Sequence, residues 1–91
     1  MRKNKTNLVV EEVSDKRKKN EKKFKTWDDF PDGSRKYRRD VQGRNGWIAR
    51  YVKEVDANDV ALKFYQEIYD DKAKLVQLHI KFPSDTGHQK L

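Results

Sequence analysis

Cations set among aromatics are the residues of this chain whose types and spacing could do chemistry, and that chemistry is phosphate recognition. Residues 16–25 hold seven Lys and Arg in ten positions, among them Lys18, Lys19, Lys22 and Lys23. At helical spacing such a run rings the helix with positive charge, and contact with phosphates relieves the repulsion and releases counterions. A solvated lysine-rich tail has the same composition. Residues 34–39 add Arg35, Lys36, Arg38 and Arg39 around Tyr37, with Arg44 close behind. An arginine fork engages phosphate through two N–H donors and stacks on bases, and a tyrosine among arginines offers an unpaired base a stacking surface. An edge strand that uses charge to discourage pairing carries similar residues.

Two further groups lie downstream. Alternation places Arg50, Lys63, Tyr65, Tyr69, His79 and Lys81 on one side of a sheet, away from its apolar face. Arg50 is then expected opposite Tyr65, and Lys63 opposite His79. Cations beside aromatics on an open sheet suit bases that stack and a backbone that is held by lysine. Cross-strand salt bridges and tyrosine pairs on a solvated sheet read the same way, and Glu54 and Glu67 share that side. The tail brings Asp85 and His88 after His79. Two histidines with Asp85 or Glu67, and a cation from Lys81 or Arg50, are the parts of a metal-independent RNA cleavage site. A polar turn ahead of a frayed terminus accounts for the same residues.

The charge is unevenly spread. Residues 1–46 carry fifteen Lys and Arg against eight Asp and Glu, whereas residues 47–91 carry seven of each, so the whole excess of +7 lies in the first half. Ninety-one residues allow one domain, and a charged fraction of 41% against 34% hydrophobic leaves only a small core. Aromatics at 11% offset this, since each buries a large area. The absence of cysteine removes disulfides and thiolate metal sites and fits a reducing compartment. No apolar run reaches the length of a membrane span, and the basic start lacks a secretory leader. The expectation is a cytoplasmic protein with no membrane association. No P-loop, dinucleotide fingerprint, nucleophile elbow or zinc spacing is present, and nothing asks for a cofactor or a metal.

These groups must be positioned by a small α+β fold: an antiparallel β-meander of three to four strands with one N-terminal helix or loop packed on its apolar face. Strands are expected at residues 47–55, 60–69 and 74–82, with a fourth, edge strand at 36–41. The polar segments 56–59 and 70–73 make the turns, and the Asn45–Gly46 pair favours the positive φ of a tight hairpin. Pairing Phe64 with Leu78 and Leu62 with Ile80 puts Val60, Leu62, Phe64, Ile68, Val76, Leu78, Ile80 and Phe82 on one face. Trp47, Ala49, Tyr51 and Val55 join it. Residues 7–10 are read as a short strand, Ser14 or Asp15 as a helix cap, and residues 26–29 as a capped turn. The helix stripe contains Arg17 and Asn20 and is too polar to dock firmly. The domain then divides into a basic, flexible segment, 1–23, and a single folded unit, 24–91, covered by Trp27 and Phe30.

The functional expectation is a non-catalytic nucleic-acid-binding protein, with RNA favoured over DNA. Lys18, Lys19, Lys22, Lys23, Arg35, Lys36, Arg38, Arg39 and Arg44 hold phosphates, Tyr37 stacks, and Arg50, Tyr65 and Lys81 form a secondary surface. The alternatives are a module for a protein partner and a metal-independent ribonuclease of the toxin type.

Overall fold

A computed structural model describes the backbone of residues 5–91 and the side chains of residues 15–91. Part of the flexible segment expected at 1–23, residues 1–4, lies outside the described residues. Helix α1 spans Lys5–Phe24 and is followed by six strands: β1 (Thr26–Asp29), β2 (Arg35–Gln42), β3 (Ile48–Val55), β4 (Ala61–Tyr69), β5 (Leu75–Phe82) and β6 (His88–Lys90). They form one antiparallel sheet in chain order. The α+β class and the meander hold, but three to four strands was an undercount. Residues 26–29, read as a capped turn, are an edge strand whose Trp27 pairs with Tyr37. The tail is a second edge, with His88 opposite His79. Strand β2 is therefore interior, not an edge.

The short strand expected at 7–10 and the cap at Ser14 or Asp15 are both absorbed into α1. Its contact stripe is Arg17, Asn20, Glu21 and Phe24, the i, i+3, i+4, i+7 spacing of one helix face. The polar members dock because a buried carboxylate awaits them. Asn20 Nδ2 donates to Asp59 at 3.0 Å and Arg17 Nε donates to the same carboxylate at 2.9 Å. Asn20 Oδ1 accepts from Lys53 at 2.9 Å. The helix ends at Lys25, whose left-handed φ of 69° lets its N–H reach the Glu21 carbonyl at 2.9 Å.

Three hairpin loops share one design. In residues 30–34, 56–60 and 70–74 the first N–H bonds the fifth carbonyl and the fourth N–H bonds the first carbonyl. The fourth residue is left-handed in each: Gly33, Asp59 and Ala73. This is the type I turn with a following bulge that three-residue hairpins favour. Asp56 and Asp70 brace their loops by accepting N–H bonds from the residues two and four ahead. Gly33 is required twice over, since a Cβ there would lie 2.9 Å from that of Ala57 and its φ is +87°.

The third loop overturns the expected register of the last hairpin. Closure at 70–74 pairs Tyr69 with Leu75, Glu67 with Leu78, Gln66 with His79 and Tyr65 with Ile80. Phe64 meets Phe82 rather than Leu78. The slip has odd parity, so Leu78 and Ile80 join Tyr65 and Val52 on the far face, while His79 and Lys81 turn to the face that carries the helix. Turn chemistry decided the pairing over hydrophobic alternation, and it could because both faces offer apolar partners. Val52 and Tyr65 are buried on the far side. On the helix-bearing face Phe24, Tyr37 and Val55 form the core, with Trp27, Tyr51 and Phe64 packed around them. Phe30, expected to cover this face, is exposed, as are Val60 and Leu62.

Candidate nucleic-acid interface

The arginine cluster of β2 does not act as one surface. Strand alternation divides it: Arg35, Tyr37 and Arg39 lie on the helix-bearing face, Lys36 and Arg38 on the other. Arg35 is buried, donating to Glu21 and Asp29 at 2.6 Å each, with its guanidinium 4.8 Å from the Trp27 ring. Arg38 is paired with Asp28 at 3.1 Å. Arg50 grips Asp40 with two bonds of 2.7 and 3.1 Å, and lies opposite Glu67, not Tyr65. That grip raises the Arg50 guanidinium above its ordinary value and lowers Asp40 below its own.

Tyr37, expected to stack on a base, has no exposed surface. Its hydroxyl donates to Asp59 at 2.6 Å, and burial together with this bond pushes the phenol up to about 12. Burial pushes the Asp59 carboxyl up, but the bonds from Tyr37, Asn20 and Arg17 outweigh it and leave it below the usual range. Tyr65, expected on a secondary surface, is buried on the far face and donates to Glu54 at 2.9 Å. Lys63 lies opposite Glu54 rather than His79 and sits 5.2 Å from the Tyr65 ring. Arg35, Tyr37 and Tyr65 thus belong to the packing of the fold.

The remaining cations have no acidic partner among the described residues. Lys18 and Lys22 stand on the outside of α1, Lys16, Lys19 and Lys23 flank it where it borders the sheet, and Lys36, Arg39, Arg44 and Lys81 stand on or beside the sheet. Three of them converge where the helix ends. Tyr51 and Phe64 stack with ring centroids 6.4 Å apart and 24° between planes. Lys81 Nζ lies 5.2 Å from the Tyr51 ring and 5.7 Å from Phe64. Arg39 stands 5.8 Å from Tyr51, and Lys23 5.8 Å from Phe64. Gln66 donates to the Tyr51 hydroxyl at 3.2 Å. A groove alongside, between α1 and the sheet, is lined by Lys16, Lys19, Asn20 and Lys53, with the buried carboxylate of Asp59 in its wall. Burial lowers the Lys53 ammonium and Lys23 adds to the shift, while the Asp59 carboxylate opposes it.

The tail completes this face. Thr86 ties its N–H to the Ile80 carbonyl at 2.8 Å and accepts the Ile80 N–H on its hydroxyl at 3.1 Å. Asp85 accepts the Gly87 N–H at 2.9 Å and His79 Nε2–H at 2.6 Å, and these bonds hold its carboxyl low. His88 then crosses opposite His79, ring centroids 4.5 Å apart. His79 is mostly buried, and its Nδ1 has no hydrogen-bond partner. Glu67, expected with these residues, points to the far face and accepts from Tyr69 at 3.0 Å.

The stacked Tyr51–Phe64 pair, Lys53 and the Asp59 network escaped sequence reasoning. Alternation puts Tyr51 and Phe64 on the apolar face, and no local signal distinguishes a half-buried aromatic at the end of a covering helix from one beneath it. Another depression, at the far end of the sheet, is lined by Gly43, Arg44, Trp47, Ile48, Ala49 and Ile68 and holds no acid–base pair.

No family model, curated protein or solved structure matches the chain. Among the described residues no helix is long and apolar enough to cross a membrane.

Proposed function

We propose that this protein binds single-stranded nucleic acid, RNA in preference to DNA, across the open part of the helix-bearing face. The observation that carries the reading is the stacked Tyr51–Phe64 pair ringed by Lys23, Arg39 and Lys81. Stacked aromatics accept bases of any sequence, and unpaired cations beside them hold the backbone. The lysines on the outside of α1, with Lys16, Lys19 and Lys53 in the groove, extend the path for phosphates. Lys36 and Arg44 lie off this path and add only long-range attraction. An RNA ligand accords with a cytoplasmic setting.

Fluorescence anisotropy with a labelled oligouridylate, its deoxy counterpart and a duplex tests the reading. With about six phosphates neutralised, affinity for the single strand falls roughly 300-fold between about 50 and 200 mM salt. Single strands bind more tightly than duplex, and RNA more tightly than DNA. Absence of binding at low salt refutes the proposal.

A further inference from the structure

We propose that this face also cleaves the RNA it binds, by metal-independent transphosphorylation at His88, an inference that rests on the nucleic-acid reading above. Three observations converge on it. His88 is exposed and in ring contact with His79, an arrangement the tail is built to produce through Asp85, Thr86 and left-handed Gly87. Asp85 fixes one side of the His79 ring while the buried Nδ1 on the other side stays unpartnered. Lys81, two residues along β5 from His79, has a charge that reaches Asp85 and an ammonium that rests on the Tyr51–Phe64 platform.

The chemistry follows from these groups. The neutral imidazole of His88 takes the proton of a ribose 2′-hydroxyl. The freed O2′ attacks the adjacent phosphorus, and the bond from phosphorus to O5′ breaks. The Lys81 ammonium steadies the charge gathering on the phosphorane and gives the departing O5′ its proton, which the His88 imidazolium then restores to Lys81 through solvent. The products are a 2′,3′-cyclic phosphate and a 5′-hydroxyl, so no water, metal or oxidant is consumed. His79 and Asp85 are positioning residues: the carboxylate sets the ring of His79, and the ring sets His88. Besides Asp85, the charges on this face near the pair are Lys81 on β5 and Lys90, two residues beyond His88 on β6, and Gln66 lies opposite His79 on β4.

The test uses the full chain, a 5′-labelled mixed-sequence RNA oligomer in EDTA, and the same oligomer fully 2′-O-methylated. The methylated strand reports binding alone. Wild-type protein is expected to bind it and to convert the RNA to fragments ending in cyclic phosphate. His88→Ala and His88→Gln, prepared identically, should cleave at least about a hundredfold more slowly while binding the methylated strand within about twofold of wild type. Asp85→Asn should lower kcat for cleavage while leaving KM and binding of the methylated strand within about twofold of wild type, because it loosens the His79 ring against which His88 rests. A protein that binds the methylated strand yet leaves RNA intact, or a His88 variant that cleaves as wild type, overturns the inference and leaves binding standing. Failure to bind the methylated strand at low salt overturns both.

Discussion

Two halves of one sheet face are built from the same residue types and arrive at opposite ends. Under the C-terminal half of α1, Arg17, Arg35, Tyr37 and Asn20 converge on acidic groups, Asp59 above all, and each of these four finds an acidic partner. Past the end of the helix, Arg39, Lys23 and Lys81 rest on Tyr51 and Phe64 with no carboxylate among them. Cations and tyrosines therefore carry no function by type alone. Whether a carboxylate is placed within reach decides if they become structure or surface, because a buried charge must be paired and an exposed one need not be.

The largest way to break this contrast is at its centre. Asp59→Ala removes the shared acceptor of Arg17, Asn20 and Tyr37, leaving a buried phenol and amide unsatisfied. Loss of one partner from a buried ionic network costs about 3–5 kcal/mol. Because Arg17 is 29% exposed, we expect a loss of about 3 kcal/mol, read as a lower urea midpoint with an unchanged slope. A loss below about 1 kcal/mol would mean that the helix is held by Phe24 and not by the carboxylate.

The same half should reveal itself in alkali. The phenol of Tyr37 is raised to about 12 by burial first and the Asp59 bond second. A group raised in the folded state favours its protonated form there. Its contribution is intact below the unfolded value near 10 and is lost as the pH climbs toward 12, on the order of 1–2 kcal/mol. Tyr65 and Tyr69 are shifted in the same direction, so the informative quantity is the part of the slope that Tyr37→Phe removes. A Tyr37→Phe protein with the wild-type alkaline profile would place the phenol in solvent.

Much of the fold was legible in the sequence. Residues 47–55, 60–69 and 74–82 are strands within a residue of their expected ends, and the polar segments between them are turns, because β-branched and aromatic runs bounded by Asp, Asn and Lys leave little choice. The side to which β5 presents His79 and Lys81 was not legible. It depends on a carboxylate bracing two N–H groups in the 70–74 loop, a geometry that shifts the register without changing the composition. The docking of α1 was hidden for a related reason. Arg17 and Asn20 weaken an apolar stripe, and only the fold shows that Asp59, in a loop forty residues away, is their partner. Of the candidate site, the cation inventory was visible. Its division between paired and unpaired members was not, since that requires knowing which strand neighbours bear acids.

In the open half, Tyr51→Leu keeps apolar bulk in the packed position and removes the stacking ring. Affinity for a single strand should fall by about 1–2 kcal/mol, with little change for a duplex, whose bases are already stacked. Equal losses on both would show that Tyr51 orders the surface rather than receiving a base.

The finest division falls between two neighbours in the chain. Arg38 and Arg39 are adjacent and identical in type, yet alternation sends one to Asp28 on the far face and the other to the Tyr51 ring. Arg39→Ala should lower the salt dependence of binding by about 0.7 in the slope of log K against log salt, the share of one phosphate on a single strand, and weaken binding by about 0.5–1 kcal/mol. Arg38→Ala should leave the slope unchanged and alter affinity by less than about 0.3 kcal/mol, since its charge is already matched by Asp28 and removing it frees a carboxylate on the opposite side. The two substitutions change net charge identically, so a nonspecific field would make them equal. Equal slopes would therefore assign binding to the overall +7 of the chain and not to the face on which Tyr51 and Phe64 lie.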